Sequence, residues 1–192
     1  MTTAADRPVR RHDPDRRTRI IEAAVDVIAE HGVAGTTHRL IAAAADVPLG
    51  SLTYHFTGLD DLRAQAFALH AERMAARYEA HFAGVTSTAD VVGAVTELVH
   101  ADADADHRDW AVAYELYLAA LRDPTLREVT ERWMQRSRRV LERFVDPTTS
   151  RGLDALIEGL VMHKVLSTHP VSRAQTREII ARAVRPSAGA DR

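Results

Sequence analysis

Residues 36–56 read TTHRLIAAAADVPLGSLTYHF, and the fold turns on how this stretch divides. Thr36 or Thr37 offers an N-cap hydroxyl. The run behind it has helical spacing, with Leu40, Ile41, Ala44 and Ala45 expected on its buried side. Asp46-Val47-Pro48 interrupts that run as a turn. A much shorter helix follows, with Leu49, Leu52 and Phe56 expected toward the same core. Its other side carries Gly50, Ser51, Thr53, Tyr54 and His55, a small, neutral, hydrogen-bonding face.

Working outward, Ile20, Ile21, Ala24, Val25 and Ile28 make one apolar stripe, with Glu22, Asp26 and Glu30 opposite. His31-Gly32 closes that helix, and Gly32 suits a left-handed residue after it. On the other side Gly58 ends the unit. Asp60 and Asp61 then open a long helix, where the helix dipole favours carboxylates. It carries Leu62, Ala66, Leu69, Met74 and Tyr78 to about Phe82, and at 1.5 Å per residue it spans roughly 35 Å. Three such helices, with the short one presented at its N-terminal end, form a compact way to enter a DNA major groove. Pro48, Leu49, Gly50 and Ser51 would approach base edges. Thr37, Arg39, Thr53, Tyr54 and His55 would hold phosphates. Periodicity alone leaves a second reading open, in which these polar groups merely face solvent.

The ordered signal helix, Gly, Thr-Thr, Ile-Ala, Ala-x-Val, Gly-Ser-Leu, Tyr-His-Phe, acidic pair, Leu resembles the N-terminal domain of the TetR family of bacterial transcription regulators. The resemblance covers Arg16 to about Phe67. It implies a DNA-binding regulator, a homodimer on a pseudo-palindromic operator, and a C-terminal small-molecule site; repression relieved by an effector is the expectation. Three positions depart from the family pattern. Asp46 stands at a turn position usually held by glycine, and aspartate is among the residues that tolerate a left-handed backbone. Thr53 stands where the first tyrosine is usual, with tyrosine displaced to Tyr54. Leu59 replaces the usual lysine before the long helix, so Arg39 is the one permanent cation between Thr36 and Asp61.

Composition sets bounds on the rest. The 192 residues are 46% hydrophobic and 27% charged, ordinary for a globular chain and too apolar for disorder. There is no cysteine, which excludes disulfides, thiolate metal sites and cysteine nucleophiles and fits a cytoplasmic protein. No apolar run is long enough to span a membrane, and the arginine-bearing N-terminus lacks the apolar core of a secretory signal. A net charge of −2 argues against a uniformly basic nucleic-acid binder. Charge is clustered instead: Arg7, Arg10, Arg11, Arg16, Arg17 and Arg19 face only Asp13 and Asp15 in that stretch. A flexible basic arm over 1–15 is expected, with Arg16 and Arg17 as DNA contacts; a solvated tail is the equal alternative.

Beyond Gly84 helices are expected at about 88–102, 107–121, 125–145, 149–167 and 172–185, giving an all-α chain of about nine helices. The expected division is a helix-turn-helix domain over 16–60, an effector-binding and dimerisation domain over 61–186, and a disordered tail over 187–192. Trp110, Tyr114, Glu115, Tyr117, Trp133, Met134 and Arg138, with His100 and His163, are candidates for a small-molecule pocket, although the same residue types also fill cores. Leu153, Leu156, Ile157, Leu160, Val161, Ile180 and Val184 are candidates for a dimer interface in an intersubunit four-helix bundle, or for packing within the chain. His100, Asp102, Asp104, Asp106 and His107 carry metal-binding residue types, but a calcium loop needs glycine where His107 stands. A polar loop with Asp106 capping the next helix is expected instead. No cofactor, no metal and no membrane partner is expected, and no catalytic motif is present. An all-α enzyme and a helical interaction module are the rival classes.

Overall fold

The computed structural model describes residues 14–101 and 103–184, with backbone alone over 103–106. Among the described residues there are nine helices: α1 Arg16–Gly35, α2 His38–Ala44, α3 Gly50–His55, α4 Leu59–His81, α5 Thr88–Val99, α6 Ala103–Ala120, α7 Pro124–Leu141, α8 Pro147–Leu166 and α9 Arg173–Val184. No strand occurs among them. Residues 1–13 of the expected arm, with Arg7, Arg10, Arg11 and Asp13, lie outside the described residues. So do Asp102, the side chains of Asp104 and Asp106, and the tail expected over 187–192.

Local chemistry explains most boundaries. Gly32 adopts φ +66°, the left-handed conformation expected of it, and kinks α1 before a last turn that runs on to Gly35. Ser87 and Asp90 form a reciprocal capping box at the start of α5. The two Asp-Pro pairs are helix starts: Asp123 and Asp146 accept from backbone amides of the first turns, and Pro124 and Pro147 open α7 and α8. These helices therefore begin earlier than periodicity suggested. α6 starts at Ala103, so the expected polar loop is helical from there, and Asp106 lies inside α6 rather than at its cap.

Two hydrophobic clusters hold the bundle. The first joins α1, α2, α3 and α4 as far as Ala75 to parts of α6 and α7, around Ile20, Ile28, Ile41, Leu52, Leu62, Phe67 and Leu116. The second joins the end of α4 to α5, α7, α8 and α9, around Phe82, Val91, Leu141, Leu153 and Ile180. Trp110 packs against both. Three residues of the head expected to be buried are not: Leu40 is 38% and Leu49 51% exposed, while Ile41, Ala42 and Ala45 form the buried side of α2. Ala44 is exposed as well. With only two turns in α2 and a turn at Asp46, the inward arc is narrow. Leu49 sits just ahead of α3, where it faces out.

Candidate nucleic-acid interface and ligand cavity

α2, the turn and α3 lie at one end of the molecule. Thr37 caps α2, its Oγ1 accepting from the Leu40 amide at 3.3 Å, while Thr36 is buried and donates to the Gly32 carbonyl at 2.7 Å. Asp46 takes φ +50° in the turn, the backbone that glycine would otherwise supply. Leu52 and Phe56 anchor α3 in the core. Arg39, Pro48, Leu49, Gly50, Thr53 and Tyr54 are exposed, Tyr54 at 84%, and Ser51 and His55 are half-buried beside them. The sequence-predicted contact residues thus share one end of the molecule. Thr53 turns its hydroxyl back onto the Gly50 carbonyl at 3.1 Å. Arg17 lies 5.5 Å above the Phe56 ring and donates to Gln65, tying α1 to α3 and α4; Arg16 is the first residue of α1.

Arg63, which sequence reasoning passed over, and Asp61, expected in the first turn of the long helix, fix this head to α4. Arg63 donates to the Val33 carbonyl at 2.9 Å, the Thr36 carbonyl at 3.0 Å and Asp60 at 3.2 Å, closing the α1–α2 junction with one guanidinium. Asp61 accepts from the Thr57 amide at 2.9 Å and from Gln65 at 2.7 Å, and these bonds hold its carboxyl below the usual range, Gln65 contributing most. Leu59, at the usual lysine position, packs on the first cluster.

The other end encloses a cavity of about 210 Å³ between α4, α5, α6, α7 and α8. Its walls include Met74, Tyr78 and His81 of α4, Leu98 of α5, Trp110 of α6, Trp133 and Ser137 of α7, and Asp154, Ile157, Glu158 and Val161 of α8. Four of the nine sequence-predicted pocket residues form one aromatic block: Trp110 stacks on Trp133 at 6.4 Å, Trp133 on Tyr117 at 5.7 Å, and Tyr114 lies 5.8 Å from Trp110. Of these, Trp110 and Trp133 reach the cavity. Arg138 stands behind it, 3.6 Å from Asp154 and 3.0 Å from Glu131.

Four candidates lie elsewhere. Glu115 faces α1, its Oε1 2.7 Å from where a Cβ on Gly32 would stand. His100 meets Thr176 at 2.9 Å between α5 and α9. His163 is exposed on a groove with Leu166 and His169, and half-buried Met134 is absent from the cavity wall.

Asp154 and Glu158 escaped sequence reasoning because two acids among leucines read as the wet side of an amphipathic helix. Burial pushes the Asp154 carboxyl up to about 6, with Glu158 beside it adding to the rise, and burial raises Glu158 against the bond it accepts from the Tyr117 hydroxyl. The Tyr78 and Tyr114 hydroxyls are buried without a hydrogen-bond partner. Burial drives both phenols upward, Tyr114 to about 12.

The candidate interface residues of α8 and α9 pack within the chain to different degrees. Leu153, Ile157, Leu160, Val161, Ile180 and Val184 are buried within the chain in the second cluster, and Leu156 packs at its edge. The outward side of α8 carries Gly152, Ala155, Met162 and Leu166 instead, Leu166 being 70% exposed.

The model of the family described as bacterial regulatory proteins, tetR family, matches residues 20–66, and that described as tetracyclin repressor-like, C-terminal domain, matches residues 86–186. The HTH-type transcriptional regulator CymR of Pseudomonas putida is 31% identical over 151 residues, 76% of this chain and 73% of CymR. Among solved structures, the transcriptional regulator SCO7518 of Streptomyces coelicolor A3(2) is 45% identical with a TM-score of 0.83, over 90% of this chain and all of that one (100%). The multidrug binding protein EbrR, complexed with imidazole, is 38% identical with a TM-score of 0.72, over 93% and 100% of the two chains. EbrR has also been solved with ethidium, proflavin and malachite green. With both domain models matched in order, this chain belongs to the TetR family of bacterial transcriptional regulators, with an N-terminal DNA-binding domain and a C-terminal ligand-binding domain.

Proposed function

We propose that the chain works as a cytoplasmic homodimeric repressor, released from a pseudo-palindromic operator by a small planar aromatic cation. The observation that carries the effector class is the cavity wall: stacked Trp110 and Trp133 meet two carboxylates of α8. Flat indoles favour flat ligands, and aromatic faces together with buried carboxylates favour positive charge. Asp154 already faces Arg138, whereas Glu158 has no ion-pair partner among the described residues and is the natural counter-ion. Ethidium, proflavin and malachite green, three of the ligands with which EbrR has been solved beside imidazole, are aromatic cations, the first two of them planar.

At the other end, Pro48, Leu49, Gly50 and Ser51 would approach bases, while Thr37, Arg39, Thr53, Tyr54, His55, Arg16 and Arg17 would hold phosphates. Two such heads need a spacing of about one duplex turn, ~34 Å. The partner subunit would meet the outward side of α8, where Gly152 and Ala155 allow close approach beside Met162 and Leu166.

Release follows from the dimensions of the cavity. At about 210 Å³ it is smaller than the ~300–1,000 Å³ of drug-sized sites, so such an effector must spread its walls. α4 is one of those walls, and Arg63 ties its first turn to the α1–α2 junction. Moving a dimer from mostly bound to mostly free requires about 10⁴-fold preference for the released spacing, ~5.5 kcal/mol. The test is to select an operator from random DNA and titrate the complex with malachite green. An unrelated repressor–operator pair serves as control for dye acting on the duplex. A two-fold symmetric site, released by dye only with this protein, supports the reading; no selected site, or no specific release, overturns it.

A further inference from the structure

We infer that at mildly acidic pH the cavity, before an effector enters, holds one proton on the Asp154–Glu158 pair and exchanges it for a single positive charge on the effector, which makes the site selective for monocations. This rests on the cationic-effector reading above and adds the charge count to it. α8 places the two carboxylates one turn apart in the same wall. Arg138 is the one cation within ion-pairing distance of either, 3.6 Å from Asp154, among the described residues. Arg138 is shared with exposed Glu131 at 3.0 Å, so two carboxylates and this one guanidinium leave at least one negative charge in a site whose other walls are largely aromatic and aliphatic. Burial makes that charge costly, and the carboxyls respond by holding protons more tightly, Asp154 to about 6.

The remaining groups do not neutralise the pair. From α4, Tyr78 presents a neutral hydroxyl, Arg77 is engaged by Asp109 at 2.6 Å, and His81 bonds the Ala94 carbonyl at 2.7 Å. From α6 come Tyr117, bonded to Glu158, and Tyr114. α5 adds Leu98, and Arg151 on α8 itself acts on Asp154 as a lesser charge than Arg138. When a cation enters, the proton leaves for solvent and the net charge of the cavity is unchanged. The unpartnered Tyr78 hydroxyl in the same wall can then bond an amino group on the ligand.

Ethidium keeps its charge from pH 5 to 8, so the full-length protein is titrated with it across that range by fluorescence. Helicity is monitored at each pH. Dihydroethidium, its uncharged reduced counterpart, is handled without oxygen as the comparison. Below about pH 6 the ethidium Kd should rise by up to ~tenfold per pH unit, and above pH 7 it should level off. Calorimetry at pH 5.5 in two buffers of different ionisation enthalpy should return about one proton released per dye, against none at pH 8. Dihydroethidium should bind at least tenfold more weakly at pH 8, with no pH slope. Glu158→Gln should lower ethidium affinity and flatten the profile. Ethidium binding equally at pH 5.5 and 8 without proton release overturns the exchange while leaving the cationic reading intact. Failure of ethidium to bind at any pH overturns the cationic reading itself.

Discussion

The reading head and the cavity half dispose of their polar groups in opposite ways. In the head the functional candidates point outward from an aliphatic core: Arg39, Thr53 and Tyr54 are exposed over Ile41, Leu52 and Phe56. In the cavity half they point inward. Asp154, Glu158, Tyr78 and Tyr114 are drawn into the bundle, and the two phenols there have no partner. A surface that meets a highly charged polymer keeps its polar groups hydrated until contact. A site for a small organic molecule must hold them away from water, at a cost in stability that a ligand can return. The difference teaches that the head presents its polar groups for contact, while the cavity half keeps two phenol hydroxyls and two carboxyls drawn inward.

Breaking the head should have the largest effect. Leu52→Ala leaves a void under α3 and should cost about 2–5 kcal/mol in chemical denaturation, with loss of operator binding. Ile157→Ala, a truncation of the same size beside an existing void in the cavity wall, should cost toward the lower end of that range. Equal costs would erase the contrast.

Next in size is the pH dependence of the cavity half. Asp154 titrates near 6 in the folded chain and near 3.9 unfolded, so its contribution to stability is full below about 4 and is lost as pH rises through 6. The unliganded protein should therefore lose up to about 3 kcal/mol from this group between pH 4 and 7, at ~1.4 kcal/mol per pKa unit. Asp154→Asn should flatten that component in denaturation midpoints measured across the range.

Arg63→Ala tests the link between the two regions. It removes two bonds to the α1–α2 junction and should cost about 1–3 kcal/mol. Operator affinity should fall while ethidium affinity measured without DNA stays unchanged; a parallel loss of both would mean that Arg63 merely holds the whole chain together.

Smallest in its effect on the fold is deletion of residues 1–13, which keeps Asp15 as the N-cap of α1 with its carbonyl accepting from the Arg19 amide at 2.9 Å. Melting should be unaltered, but operator affinity should fall at low salt. The salt slope should shrink by about 0.9 for each phosphate that the arm no longer neutralises, because Arg39 is the head's one permanent cation between Thr36 and Asp61. Unchanged affinity would show that the arm takes no part.

How far each region could be read from sequence follows the same division. The stripe Ile20, Ile21, Ala24, Val25 and Ile28 is buried as its spacing predicted, Thr37 caps α2, and Asp46 takes the left-handed turn. These are local matters, governed by residues within a few positions of one another. Leu49 went astray because a helix of six residues, Gly50–His55, has too little surface for periodicity to assign a side. The α6 start went astray because alternating Asp and Ala read equally well as a loop or as a helix opening.

What the sequence by itself determined is the all-α class, the order of the helices, and the three-helix head with its outward-facing hydroxyls, because periodicity, capping and turn chemistry act over one or two turns. Tertiary structure alone decided that Asp154 and Glu158 face inward, that Leu153 and Ile180 are spent on the chain's own core, and that Arg63 joins α4 to the head. A helix pattern shows that two sides differ; which side meets a partner helix, and whether a carboxylate there faces water or a stacked indole, depends on packing between segments tens of residues apart.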